Sequence, residues 1–270
     1  MAFGHGTHNA RDEAAYLILH TLKLPLGELE SVLERKLSAA ELQDVRAILR
    51  RRVRERRPAA YLTREAWLGP FRFYVDERAI VPRSFIAELL RDRLAPWVAE
   101  PRRVRRVLDL CTGSGCLAVL AAHAFARAQV DAADLSAAAL QVARRNVKDY
   151  ALGKRVHLVK TDLFDCLDGR RYDLILSNPP YVNAAAMRAL PREYRHEPRL
   201  ALAGGRDGLA LVHRMLAQAP AHLTPGGLLM VEIGHNRAAL EKAYPRLRFT
   251  WLETSAGGDY VFMLSREDLL

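Results

Sequence analysis

With 270 residues, half of them hydrophobic, the chain is long enough for one large domain or for a catalytic domain with a smaller companion, and its composition excludes a disordered polypeptide. The longest apolar runs, such as residues 117–122, fall far short of a membrane span, and no basic segment followed by an apolar core opens the sequence, so a soluble, cytoplasmic protein without membrane contact is expected. The net charge of +10 suits an acidic partner such as a nucleic acid or a ribonucleoprotein particle, whereas Cys111, Cys116 and Cys166 are too few and too irregularly spaced for a disulfide framework or a zinc site.

The pattern over residues 1–60 is that of a small helical module. A first helix is expected near Asp12–Lys23, closed off by Pro25 and Gly27. Ser38 followed by Glu41 forms a capping box for a second, on which Leu42, Val45, Leu49 and Val53 recur at three- and four-residue steps and so share a face. The same helix carries Arg46, Arg50, Arg51, Arg52, Arg54, Arg56 and Arg57, a cluster that suits either contact with RNA or a solvated helix face. Pro58 ends it. Residues 61–82 change to β-formers (Phe71, Phe73, Val75, Ile80, Val81) around Asp76-Glu77-Arg78, which predicts a hairpin linker turning at that triplet.

Over 83–270, strands and helices alternate. Strands are expected at Val104–Leu110, Gln129–Asp134, Val156–Lys160, Tyr172–Ser177 and Gly227–Ile233, with helices at Gly115–Arg127, Ser136–Asp149 and Gly208–Ala219 between them. Leu247–Glu253 and Asp259–Leu264 read as a closing antiparallel pair. Such alternation implies an α/β fold: a parallel sheet with helices on both faces.

Ligands in sheets of this kind bind at the carboxyl ends of the strands. The first strand ends in Asp109-Leu110-Cys111-Thr112-Gly113-Ser114-Gly115-Cys116, where glycines let the backbone turn sharply and approach a ligand. The spacing differs from the dinucleotide G-x-G-x-x-G pattern, and Asp109 could accept from a ligand ammonium or a nearby backbone amide; a pyrophosphate would be repelled there. A cofactor bearing an amino acid group suits the loop better. Asp134, ending the second strand, can receive both hydroxyls of a ribose or cap the following helix. After the third strand, Asp162 is placed to accept from an adenine amino group, with Leu163 or Phe164 covering the ring.

The fourth strand runs into Asn178-Pro179-Pro180-Tyr181, the most specific signal in the sequence. An amide nitrogen is a poor nucleophile because its lone pair is delocalised, so it must be oriented to accept a methyl group. The Asn178 side-chain oxygen and the Pro179 carbonyl can each accept one of its two N–H bonds; the prolines stiffen the turn, and Tyr181 offers a flat wall. No general base is needed before transfer, and no obvious His or Glu flanks the motif.

On these motifs, together with Pro58–Thr63, Phe73–Arg78, Val81–Ser84 and Leu190–Pro198, the chain resembles the HemK-type protein N5-glutamine methyltransferases over essentially its whole length. Within that family it is most similar to the PrmB branch, which modifies the third protein of the large ribosomal subunit. The sibling that methylates translation release factors usually has glycine at Cys111 and proline at Ser84. The resemblance implies a Rossmann-like class I methyltransferase domain with a seven-stranded, mostly parallel sheet, preceded by a small helical domain for substrate recognition. It also implies S-adenosyl-L-methionine as cofactor, no metal, and a ribosomal protein as partner, free or within an assembly intermediate. Thr112 to Cys116, Asp134 and Asn178 would line the cofactor; Asn178 to Tyr181 would hold the glutamine. Arg83 would order the loop over the cofactor or form a salt bridge, and Glu197 would help close the acceptor pocket. The competing acceptors are a release-factor glutamine and the adenine amino group of RNA or DNA.

Overall fold

The computed structural model describes every residue except His8 and Glu28. The N-terminal helices are α1 (Ala10–Thr21), α2 (Leu29–Val32), α3 (Ala39–Glu55) and α4 (Ala59–Thr63). Asn9 caps α1, and the Ser38–Glu41 capping box opens α3 as its spacing predicts. The buried side of α3 differs from the expected face. Leu42 and Val53 are exposed, while Val45 and Arg52 are the buried residues. An arginine can occupy that side because carboxylates meet it there, as described below.

The hairpin also departs from expectation. Its strands are β1 (Glu65–Leu68) and β2 (Phe71–Tyr74), so the chain reverses at Gly69-Pro70 and not at Asp76–Arg78. Gly69 has φ +56°, the left-handed backbone that such a tight turn needs. Asp76 instead binds the Arg78 backbone N–H (3.1 Å) and guanidinium in a separate turn. The hairpin docks on the rest of the chain through Asn146, whose amide exchanges two hydrogen bonds with the Tyr74 backbone (2.8 and 3.0 Å).

After α5 (Ile86–Arg91) comes the main sheet, built from β3 (Arg106–Leu110), β4 (Gln129–Asp134), β5 (Val156–Lys160), β6 (Tyr172–Ser177), β7 (Leu223–Glu232), β8 (Thr250–Leu252) and β9 (Val261–Ser265). The intervening helices are α6 (Cys116–Ala124), α7 (Ala137–Asp149), α8 (Ala184–Ala189), α9 (Ala210–His222) and α10 (Arg237–Ala243). The strand order is β5-β4-β3-β6-β7-β9-β8, with β9 antiparallel to both neighbours. This is a Rossmann-like sheet of seven strands.

Buried apolar side chains cover both faces, which is why the strands read as near-continuous hydrophobic runs. Val107, Val130 and Leu174 pack with Ile86 and Leu90 of α5 and with α6 and α7; Leu108, Ile175 and Leu229 pack with Met215 and Leu216 of α9 and Leu240 of α10. Each such side chain contributes about 1.5–3 kcal/mol on burial. The winding starts at β3, runs outward to β4 and β5, then restarts at β6 on the other side. The carboxyl ends of β3 and β6 therefore flank the switch point, where a crevice opens. Ser177 Oγ donates to the Leu110 carbonyl (2.8 Å), tying these two strand ends together.

Candidate active site

A cavity of about 330 Å³ lies at that switch point, bounded by Cys111 and Gly113 from the β3 loop, Asp134 from β4, Asp162 and Leu163 after β5, and Asn178 after β6. Ala79 and Ile80 cover it from one side and Leu200, Ala201 and Ala203 from another. Three residues of the β3 loop take positive φ: Cys111 (+58°), Gly113 (+55°) and Gly115 (+79°). At Gly115 a Cβ would stand 3.0 Å from that of Ala143, so glycine permits the close seating of the loop on α7. Asn146 adds a bond to the Ser114 carbonyl (2.8 Å), holding the loop and the hairpin with one side chain.

Asp134 faces the cavity with both oxygens already engaged, Oδ2 by the Gly113 N–H and Oδ1 by the Ser136 N–H, each at 2.8 Å. Burial pushes its carboxyl up, and these backbone bonds oppose the rise. A carboxylate oxygen has more than one lone pair, so the fixed group still has capacity for hydroxyl donors. Asp162 lines the rim and is shared with Arg214 (2.9 Å).

Asp109, Thr112, Ser114, Gly115 and Cys116 do not line the cavity. Strand alternation explains Asp109: its neighbours Leu108 and Leu110 face α9, so it points to the α6 side with Val107. There it is fully buried, accepts from Thr112 Oγ1 (2.5 Å), and burial pushes its carboxyl up to about 7. Of the loop residues, Cys111 and Gly113 are the ones that line the cavity.

The Asn178–Tyr181 turn meets the cavity through Asn178 and Pro180, whereas Pro179 and Tyr181 do not line it. Asn178 Nδ2 donates to the Arg83 carbonyl (2.9 Å), which orients the amide and leaves Oδ1 free of any partner among the described residues. Tyr181 is clamped: its carbonyl accepts from Asn236 Nδ2 (3.0 Å), and its hydroxyl lies 3.5 Å from Glu232 Oε1. Three glycines leave room for the turn. A Cβ on Gly204 would come within 2.8 Å of the Pro180 carbonyl oxygen, on Gly208 within 2.6 Å of the Tyr181 carbonyl oxygen, and on Gly234 within 2.8 Å of the Tyr181 ring.

Glu232 escapes sequence reasoning, which finds no acid or base beside the motif. It ends β7, is buried, and accepts from Ser84 Oγ (2.6 Å) and the Phe85 N–H (2.9 Å); burial pushes its carboxyl up to about 7. Its only sequence signal is its position at a strand's carboxyl end. Arg83 and Glu197 are brought together as a bidentate ion pair, both bonds 2.7 Å, and Glu197 also accepts the Val81 N–H (3.0 Å). Neither lines the cavity. Arg83 thus forms a salt bridge, and its backbone carbonyl accepts from Asn178. His196 binds the Glu55 carbonyl (3.0 Å), away from the turn. Among the described residues, no cluster of potential metal ligands occurs and no helix is long and apolar enough to cross a membrane.

Sheet order, glycine loop, paired-strand carboxylate and Asn-Pro-Pro-Tyr turn together define an S-adenosylmethionine-dependent class I methyltransferase. Residues 88–192 match the methyltransferase small domain, and residues 4–63 match the PrmC N-terminal domain. The chain belongs to the family of ribosomal protein uL3 glutamine methyltransferases, the HemK-type group. It is 59% identical to the Neisseria meningitidis serogroup B member over 99% of this chain and 88% of that protein, and 55% identical to the Bordetella pertussis member over 100% and 90%. Among solved structures, a Pyrococcus furiosus methyltransferase (17% identity, TM-score 0.52, 74% of this chain and 90% of that one) shares the fold. So does the hMettl16 catalytic domain crystallised with a MAT2A 3′UTR hairpin (16%, TM-score 0.55, 72% and 74%).

Proposed function

We propose that the chain methylates the side-chain amide nitrogen of a glutamine in ribosomal protein uL3. The observation that carries this reading is Asn178: with Nδ2 held by the Arg83 carbonyl, its Oδ1 is a fixed, unoccupied acceptor at the cavity wall. S-adenosylmethionine supplies an electrophilic methyl group on a sulfonium sulfur. The residues present fit it: Asp134 would take the ribose hydroxyls, Asp162 and Leu163 the adenine, and Cys111 and Gly113 the backbone approach, with Asp109, Thr112, Ser114, Gly115 and Cys116 shaping the loop.

Asn178 Oδ1 and the Pro179 carbonyl accept the two N–H bonds of the incoming amide, and the ring of Tyr181 flanks its plane. These bonds strengthen as positive charge grows on nitrogen, each worth about 1.5–3 kcal/mol in that charged state. The new C–N bond uses the nitrogen lone pair, the C–S bond electrons return to sulfur, and the displaced proton leaves to water. Arg83 and Glu197 serve by holding the covering loop.

The unit 1–60 is the substrate-recognition module, 61–82 the linker and 83–270 the catalytic domain, acting in the cytoplasm. Pairing narrows the arginine cluster. Arg51, Arg52, Arg56 and Arg57 bind carboxylates, whereas Arg46, Arg50 and Arg54 have no ion pair among the described residues and recur every fourth residue along one side of α3. That stripe supports contact with ribosomal RNA when uL3 is presented within an assembly intermediate. The test is labelled-methyl transfer to undermethylated uL3, to a release factor and to naked ribosomal RNA. Label on uL3 at one glutamine is expected; label only in nuclease-sensitive material would replace this reading with adenine methylation, and label on the release factor alone would move it to the sibling branch.

A further inference from the structure

Two sets of polar contacts, joined by the backbone of residues 193–197, link the helical module to Asn178. Arg52 on α3, only 2% exposed, lies between two carboxylates, 2.7 Å from Glu13 and 3.5 Å from Glu193. Glu193 also accepts from Arg56 Nε (2.6 Å) and the Ala2 N–H (3.0 Å), while Arg52 Nη2 donates to the Ala2 carbonyl (2.9 Å). At the C-terminal end of the short 3-10 segment that holds Glu193 (Arg192–His196), Glu197 receives the Arg83 guanidinium and the Val81 N–H, with His5 Nε2 at 3.4 Å. The Arg83 carbonyl then takes the Asn178 amide. Segment 193–197 thus carries one carboxylate anchored in the module and one anchored on the loop that orients Asn178.

A module that only docks substrate needs surface side chains. Fixing it to the catalytic domain needs only apolar contact, whereas burying ions costs several kcal/mol each before pairing offsets it. What paired buried charges add is directional geometry.

We infer that the helical module is structurally part of the acceptor site: Arg52 acting through Glu193, and Glu197 acting through Arg83, are positioning residues that set the orientation of the Asn178 amide. This rests on the reading of Asn178 as the group that receives the glutamine.

The test uses the full chain. The side-chain ¹H–¹⁵N pair of Asn178, assigned by its loss in Asn178→Ala, is followed in Arg52→Gln, Glu197→Gln and the milder Arg56→Gln, whose arginine is 27% exposed. The pair is expected to shift and exchange faster in all three. With saturating uL3, kcat is expected to fall by about tenfold or more in the first two, equivalent to ~1.4 kcal/mol of barrier, with the cofactor dissociation constant within about twofold of wild type. Arg52→Lys, which keeps the charge, should restore part of the loss. Arg51→Gln, on the solvent side of α3, should change neither readout.

An unchanged Asn178 resonance overturns the inference. So does a raised KM for uL3 at unchanged kcat, the signature of a docking-only module. If wild-type enzyme transfers nothing to uL3, the functional reading fails on its own, while the resonance still decides this point.

Discussion

Adding one methyl group at Gly234 tests whether the Tyr181 ring is held where transfer needs it. Gly234 has φ +56°, and a Cβ there would stand 2.8 and 2.9 Å from Cε2 and Cδ2 of Tyr181. Alanine in this left-handed region costs about 1–2 kcal/mol. Carbon atoms at rest lie roughly 3.5–4.0 Å apart, so the ring must retreat by about 1 Å. Its backbone cannot follow, because the Tyr181 carbonyl is fixed by Asn236 and closed in by Gly208. Overpacking of this kind adds about 1–3 kcal/mol, for a total destabilisation of ~2–5 kcal/mol. A 1 Å displacement at a reacting site costs on the order of 100-fold in rate. Gly234→Ala should therefore lower Tm by several degrees and kcat by about two orders of magnitude, with cofactor affinity retained. The comparison is Gly153→Ala, where a Cβ meets nothing within 4 Å and φ is not left-handed; it should be neutral or stabilise by ~0.4–1 kcal/mol. Thermal melts, calorimetric cofactor titration and steady-state transfer to uL3 provide the readouts. Wild-type kcat in Gly234→Ala would refute the claim that this glycine sets the ring position.

Asn178→Ala removes one acceptor and orphans the Arg83 carbonyl; kcat should drop by about 10- to 150-fold, from ~1.5–3 kcal/mol, with cofactor binding largely spared in a titration. Asp134→Ala frees the Gly113 and Ser136 N–H groups together, so the cofactor dissociation constant should rise at least about tenfold, the amount one lost bond to a charged group implies. For Glu193 and Glu197, burial alone would raise each carboxyl, but Arg56 and the Ala2 N–H on the first, and Arg83 with His5 on the second, bring both down to about 2. A folded value below the unfolded 4.5 stabilises the native state above pH 4.5, and that gain is lost as pH falls towards 2. Denaturant melts across this window should show a shallower acid loss in Glu193→Gln and Glu197→Gln than in wild type; parallel curves would contradict the pairing. Replacing Arg46, Arg50 and Arg54 by Gln should weaken binding to ribosomal RNA and flatten its salt dependence by roughly one phosphate contact per charge, read by titration at several ionic strengths.

What the sequence revealed of this site was what local spacing encodes. The glycine loop, Asp134 and the Asn178–Tyr181 turn each follow a strand directly, and strand order then delivers them to one crevice. Asp109 shows that adjacency in the motif is not adjacency in space: with a period of two, its side chain faces α6 while Cys111 and Gly113 line the cavity. The hairpin misled because Asp76–Arg78 has turn chemistry, yet Gly69-Pro70 makes the reversal. Groups that meet from distant strands left no local trace. Ser84 and Glu232 are separated by 148 positions, and no periodicity links them.

The arginine cluster carries the same lesson into function. Seven arginines in a dozen residues read as one basic surface only while their partners are unknown. Glu13 and Glu193, the latter 141 residues away from Arg52, turn its most central member into a buried strut. Charge counted along a chain is thus a poor guide to charge offered to a partner: Arg52 and Arg56 reach Glu193, Arg51 and Arg57 pair with Glu55 and Glu77, and a stripe of three has no ion pair among the described residues. On this division, neutralising the stripe should alter association with the particle, and neutralising the strut should alter the chemical step.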